Sequence, residues 1–94
     1  MFNIGRNEIG QIMLSGRLDA SRADEVRDVL NTITESCTLD FKELEYISSA
    51  GLGVLLGAQK RLNKTGHGLK LVNLNKHIRE IFFVAGFNLA FDIE

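Results

Sequence analysis

The chain has 94 residues, 45% of them apolar and 24% charged, the balance of an ordinary globular protein with a single core. Small domains bury only about 60–70% of the surface their unfolded chain exposes, which leaves no material for a second core, so residues 1–94 are read as one domain. Eleven Lys and Arg against 12 Asp and Glu give a formal net charge of -1. Direct nucleic-acid binding, which needs a basic excess to cover phosphates, is disfavoured. The single cysteine, Cys37, has no partner for an internal disulfide, in keeping with a reducing compartment.

Residues 1–10 carry Asn3, Arg6, Asn7 and Glu8 and lack the apolar stretch of a signal peptide. The longest uncharged run, Tyr46 to Gln59, is too short to span a bilayer. A cytoplasmic chain without membrane insertion is expected, with a monomer as the default state.

Phe2 and Ile4, then Ile9, Ile12 and Leu14, mark two extended runs around a polar break at Arg6–Gly10. Ile12 and Leu14 are two apart and share one side of a strand. A hairpin is predicted, its second strand ending at Gly16. Leu18-Asp19-Ala20-Ser21 then leads into a helix. Val26, Val29, Leu30 and Ile33 fall at i, i+3, i+4 and i+7, and Asp19 or Ser21 is suited to cap the start. This helix should end near Glu35–Ser36. Cys37–Phe41 suits a short buried strand, and Lys42–Tyr46 a connector.

From Gly51 a second helix is predicted, with Leu52, Leu55, Leu56 and Leu62 on its apolar face and Val54 and Ala58 widening it. Such a helix is largely covered by other elements. It ends near Lys64, before the turn cluster Thr65-Gly66-His67-Gly68. Leu69, Leu71, Val72 and Leu74 make a further strand. Asn75 is placed to cap a short helix carrying Ile78, Ile81, Phe82 and Ala85, with Gly86 as its stop. Leu89, Phe91 and Ile93 alternate as a final strand. The order β-β-α-β-α-β-α-β predicts an α/β fold with a four- to five-stranded mixed sheet covered by helices. Its parallel neighbours are joined by right-handed crossovers, and the hairpin adds an antiparallel pair.

No catalytic constellation stands out, and no metal or cofactor is called for. His67 and His77 lack Cys or His partners at ligand spacing and read as surface histidines. Cys37 lies in a predicted buried strand, where a thiol is inert packing. Gly51, Gly53 and Gly57 are spaced one residue too long for a dinucleotide fingerprint, and no Walker Lys-Ser/Thr follows. A nucleotide site on Gly51–Gly57 is the weakest of the readings.

One segment is unlike generic core: Tyr46-Ile47-Ser48-Ser49-Ala50-Gly51-Leu52-Gly53. Two serines stand at a predicted helix start, where unpaired N–H groups and the helix dipole favour an anion. A phosphate there brings about -1.5 to -2 charges. On local spacing alone, a serine at this place is better explained as an N-cap.

This segment, with Gly16-Arg17-Leu18-Asp19 upstream, resembles the STAS domain of bacterial anti-sigma factor antagonists, and the resemblance covers almost the whole chain. It implies a binding module rather than an enzyme. The unphosphorylated antagonist binds an anti-sigma factor that is also a serine kinase of the GHKL type, and so frees a sigma factor. Phosphorylation of one serine lowers that affinity, and a PP2C-type phosphatase reverses it. The family pattern is Asp-Ser-Ser/Thr-Gly-Leu-Gly. Aligned on Gly51-Leu52-Gly53, the acceptor falls at Ser49, with Ser48 as a lesser alternative. Ser48 occupies the Asp position and Ala50 the next hydroxyl position. Ser48, Ala50, Gly51, Leu52 and Gly53 are then expected to touch the partner, together with Asp19. Exposed Arg22, Glu25 and Arg27 would form a rim. The family also includes non-switching scaffolds of stressosome-like assemblies and accessory subunits of transporter complexes, which stand as the alternative. The last strand reaches the end of the sequence, so the family's C-terminal helix is expected to be short or missing.

Overall fold

Which face of the sheet is covered follows from the alternation of side chains along its strands. In the computed structural model, which describes Met1 to Glu94, the strands are β1 (Phe2–Arg6), β2 (Ile12–Leu18), β3 (Cys37–Ile47), β4 (Leu69–Val72) and β5 (Asp92–Ile93). The helices are α1 (Ala23–Leu30), α2 (Ser49–Asn63) and α3 (Lys76–Val84), with single 3-10 turns at Ala20–Arg22 and Phe87–Leu89. The sheet order is β1-β2-β3-β4-β5. Only β1 and β2 pair antiparallel; every later pair is parallel. This is the expected mixed α/β sheet.

Each parallel crossover moves one strand further in the same direction. Right-handed connections therefore place all three helices on one face. Ile12, Leu14, Leu18, Leu39, Phe41, Leu44, Ile47, Leu69 and Leu71 point to that face and join Val26, Leu30, Leu55, Leu62, Ile78 and Phe82 in one buried core. The residues between them, such as Met13, Ser15, Arg17, Thr38 and Lys70, are half-buried or exposed and line the opposite, open face.

The structure corrects several of the predicted boundaries. Gly16 does not end β2: the strand runs through it to Leu18. Gly16 adopts φ +83, and a Cβ there would stand 1.7 Å from the Met1 carbonyl oxygen, so only glycine fits. Lys42–Tyr46 is not a connector but part of the 11-residue β3. Phe41, Leu44 and Ile47 are three apart, a spacing that would alternate faces in a regular strand. Two register shifts against β2, between Met13 and Ser15 and between Gly16 and Arg17, insert an extra residue each time and keep all three inward.

Helix α1 stops at Leu30, earlier than its periodicity suggests. Ile33 is nonetheless buried, 5% exposed. The Arg61 guanidinium donates to the carbonyls of Leu30 at 2.9 Å and Ile33 at 2.8 Å, satisfying acceptors that a longer helix would have used. The final strand is only Asp92–Ile93. Gly86, at φ +77, ends α3, and a 3-10 turn follows. Phe87 and Phe91 then both reach Phe82, at ring centroid distances of 6.2 and 5.8 Å, while Leu89 is 89% exposed. Phe82 also meets Phe41 edge-on at 6.0 Å, joining the C-terminal segment to β3.

Polar ties hold the far end of the sheet. His67 is more than a surface residue: its Nδ1 accepts the Ser36 N–H at 3.1 Å, joining the segment before β3 to the turn before β4. Gln59 of α2 is the one buried polar residue. Its Oε1 accepts the Leu69 N–H at 2.6 Å and its Nε2 donates to the Ala90 carbonyl at 2.7 Å. Gln59→Leu conserves volume and strands both backbone groups. Each such group costs about 1–3 kcal/mol, so stability should fall by about 2–4 kcal/mol. The check is a lower urea midpoint at unchanged slope.

Candidate functional site

Strands β2 and β3 end side by side, with Leu18 paired to Ile47. The Ser48 N–H donates to the Leu18 carbonyl at 2.8 Å, and the chain turns from strand into helix within that residue. Ser48 is extended, with φ -85 and ψ 166, and its Oγ accepts the Gly51 N–H at 3.1 Å. Its carbonyl accepts the Leu52 N–H at 3.0 Å. Ser48 is therefore the N-cap, and α2 begins at Ser49, two residues before the expected Gly51.

Of the residues predicted to meet a partner, Gly51 and Leu52 require correction, because both are buried. A Cβ on Gly51 would lie 2.9 Å from Leu18 Cγ and 3.1 Å from Ile47 Cγ1. Leu52 belongs to the core. These two residues seat the helix from inside and present no side chain outward. Ser49, Ala50 and Gly53 are exposed and Ser48 is half-buried. Ser49 and Gly53 are four apart and share a helix face. The amides of Ser49 and Ala50 belong to the first turn, where N–H groups have no intrahelical acceptor and carry the positive end of the dipole. Gly51, Gly53 and Gly57 all lie inside α2, so they form no phosphate-cradling loop.

Asp19 follows the end of β2 on the same rim. Its Oδ1 accepts from the Ser21 hydroxyl at 2.6 Å and the Ser21 N–H at 3.1 Å, capping the 3-10 turn that packs against α2. The Ser21 hydroxyl is the main cause holding the Asp19 carboxyl below its ordinary 3.8, with the Ser21 amide and the charges of Arg22 and Arg17 adding to it. Of the predicted rim residues, Arg22 pairs with Glu25 at 3.3 Å, and Arg27 pairs with Asp24, which was not among them.

Sequence reasoning missed one feature of this rim. The Arg17 guanidinium lies over the Tyr46 ring, 4.5 Å from its centroid. The two residues are cross-strand neighbours only because of the register shifts described above, so no sequence spacing announces the pair. A concavity of about 760 Å³ opens elsewhere, at the opposite end of the sheet between the β1–β2 turn and the α2–β4 turn, and Ser49 is not in its walls.

The fold and this rim define a class: a mixed-sheet α/β domain that presents a serine at a helix start beside the carboxyl ends of two parallel strands. The family model described as Mlab, STAS domain, matches residues 5–89, and the chain belongs to the STAS domain family. It is 31% identical over 86 residues to the anti-sigma-B factor antagonist of Bacillus subtilis strain 168, spanning 88% of this chain and 79% of that protein. It is also similar to the solved structure of the anti-sigma factor antagonist SpoIIAA in its unphosphorylated form. The TM-score is 0.77 at 20% identity, covering 100% of this chain and 88% of that one. The phosphorylated form of Bacillus SpoIIAA matches with a TM-score of 0.71 at 20% identity, covering 100% and 91%. These two structures establish likeness of fold.

The neighbouring serines should separate in stability measurements. Ser48→Ala removes the cap and should cost about 1 kcal/mol, whereas Ser49→Ala should leave the urea midpoint nearly unchanged. The carboxyl of Asp19 titrates low, so its bond to Ser21 stabilises the fold above the ordinary carboxyl value and is lost as pH falls through the lowered one. A carboxyl-carbon NMR titration should place the Asp19 midpoint below 3.8, and Ser21→Ala should move it upward.

Proposed function

We propose that this chain is an anti-sigma factor antagonist that acts in the cytoplasm and is switched by phosphorylation of Ser49. The unmodified surface around Ser49, Ala50, Gly53 and Asp19 docks on an anti-sigma factor and so releases a sigma factor. That anti-sigma factor is the GHKL-type serine kinase that modifies Ser49, and a PP2C-type phosphatase restores the hydroxyl. The chain itself is a binding module and performs no chemistry.

The observation that carries this reading is the exposed Ser49 at the start of α2, in a chain that aligns with an anti-sigma-B factor antagonist over most of both lengths. Ser48 is engaged as the cap and half-buried, which favours its neighbour as acceptor. A solved relative in fold exists in phosphorylated and unphosphorylated forms. The physics of the switch is local. A packed, dehydrated interface over Ser49 and Ala50 has no room for a dianion without cationic partners. A loss of about 3–4 kcal/mol lowers affinity by two to three decades.

Incubation with the cognate anti-sigma kinase and ATP should add one phosphate to wild type and none to Ser49→Ala, read by intact mass and fragment spectra. The phosphorylated protein and Ser49→Asp should both bind that kinase at least about a hundredfold more weakly. Labelling that persists in Ser49→Ala refutes the assignment of the acceptor. Binding that survives phosphorylation makes the chain a non-switching STAS scaffold or an accessory subunit instead.

A further inference from the structure

Five of the six arginines in this chain have an acceptor. Arg6 donates to the Gly10 carbonyl, Arg61 to those of Leu30 and Ile33, and Arg79 to that of Glu94. Arg22 pairs with Glu25 and Arg27 with Asp24. The guanidinium of Arg17 has neither an ion pair nor a hydrogen bond. It is exposed yet positioned, because it stacks on Tyr46 at 4.5 Å and its backbone N–H is held by the Met1 carbonyl at 3.1 Å. Asp19, two residues on and just past the end of β2, feels its charge but bonds to Ser21.

The location matters as much as the chemistry. Arg17 and Tyr46 are register partners one step before Leu18 and Ile47, and Ser48 and Ser49 follow directly. The pair sits on the open face of the sheet, on the other side of the rim from Ser49. A protein seated over Ser49 and Asp19 needs only to reach across that rim to touch it. A planar fork of N–H donors, fixed in orientation and without an internal acceptor, is complementary to a carboxylate. Arg and Tyr are also the residue types in which interface energy concentrates.

We infer that Arg17, held by Tyr46, is a specificity contact that receives an acidic side chain of the anti-sigma factor. This rests on the function proposed above and extends the docking surface over the rim onto the open face. Tyr46 is a positioning residue: it orients the guanidinium and keeps it from folding back onto Asp19. The stack also explains why the pair should not tolerate lysine, whose ammonium offers a point charge without the fork.

The test is calorimetric titration of the unphosphorylated full chain with the cognate anti-sigma factor, at low and high salt. Arg17→Gln should weaken binding about tenfold or more, and Arg17→Lys should recover little of it. Tyr46→Leu should weaken it about threefold to tenfold. Wild-type affinity should fall with salt more steeply than that of Arg17→Gln. Once the partner's acidic residue is neutralised, Arg17→Gln should cause no further loss. Melting temperatures close to wild type exclude a folding defect. If Arg17→Gln binds as tightly as wild type, with the same salt slope, while phosphorylation of Ser49 still releases the partner, this inference fails and the proposed function stands. If Arg17→Gln weakens only the phosphorylated protein's residual properties, the guanidinium serves an internal phosphate and the inference also fails. A wild-type chain that does not bind the anti-sigma factor overturns both.

Discussion

The site depends on a close contact at the joint between strand and helix. With only hydrogen at Gly51, the first turn of α2 settles against Leu18 and Ile47; a Cβ would come within 2.9 Å of Leu18. The Ser48 amide closes the same joint from the other side by donating to the Leu18 carbonyl at 2.8 Å. Leu18, Leu52 and Leu55 are buried in one core, so the helix has no freedom to rotate about its axis. Successive residues step by about 100° around a helix. Once Gly51, Leu52 and Leu55 face inward, Ser49, Ala50 and Gly53 must face outward. The outward surface is thus a consequence of interior packing. A partner meets it preorganised, with little loop ordering to oppose binding.

The elements that local sequence specifies were legible. Asn75 caps α3 through a bond from the Ile78 N–H at 2.8 Å, as its place before an i, i+3, i+4 pattern suggests. A pair of serines at a helix start was legible as well, though not which of the two is the cap. What escaped was long-range. Phe41, Leu44 and Ile47 have a spacing that belongs to neither a regular strand nor a helix, and only the ladder with β2 turns it into one face. The end of α1 is decided by Arg61 in the following helix, 31 and 28 residues further along the chain, through the carbonyls of Leu30 and Ile33. The alternation of Leu89, Phe91 and Ile93 imitates a strand, but aromatic packing on Phe82 selects a helical spacing of Phe87 and Phe91 instead. Arg17 and Tyr46 meet for the same reason that β3 was misjudged. In each case the deciding partner lies outside the window over which periodicity is read.

The departure from the family pattern at position 48 has an electrostatic meaning. A carboxylate at an N-cap would accept the same Gly51 amide and also neutralise the positive end of α2. The hydroxyl of Ser48 performs the first task at 3.1 Å and leaves the second undone. The first-turn amides of Ser49 and Ala50 would therefore meet a phosphate at position 49 without a carboxylate at position 48 to oppose it. Asp19, on the same rim, is the nearest carboxylate of the motif, and its charge is already shared with Ser21, Arg22 and Arg17.

Two adjacent serines look alike in the sequence, and the fold makes them different. A phosphate on Ser48 would have to give up or distort the bond from Gly51, lose about 1 kcal/mol of capping, and crowd a half-buried position between the ends of β2 and β3. A phosphate on Ser49 would extend from the helix surface into solvent and leave the cap, the Leu18 bond and the Gly51 packing intact. It would alter the charge of the rim without moving the residues behind it. Discrimination between the two hydroxyls therefore requires no special device in a modifying enzyme: the same glycine contact that fixes the helix leaves one hydroxyl in use and the other free.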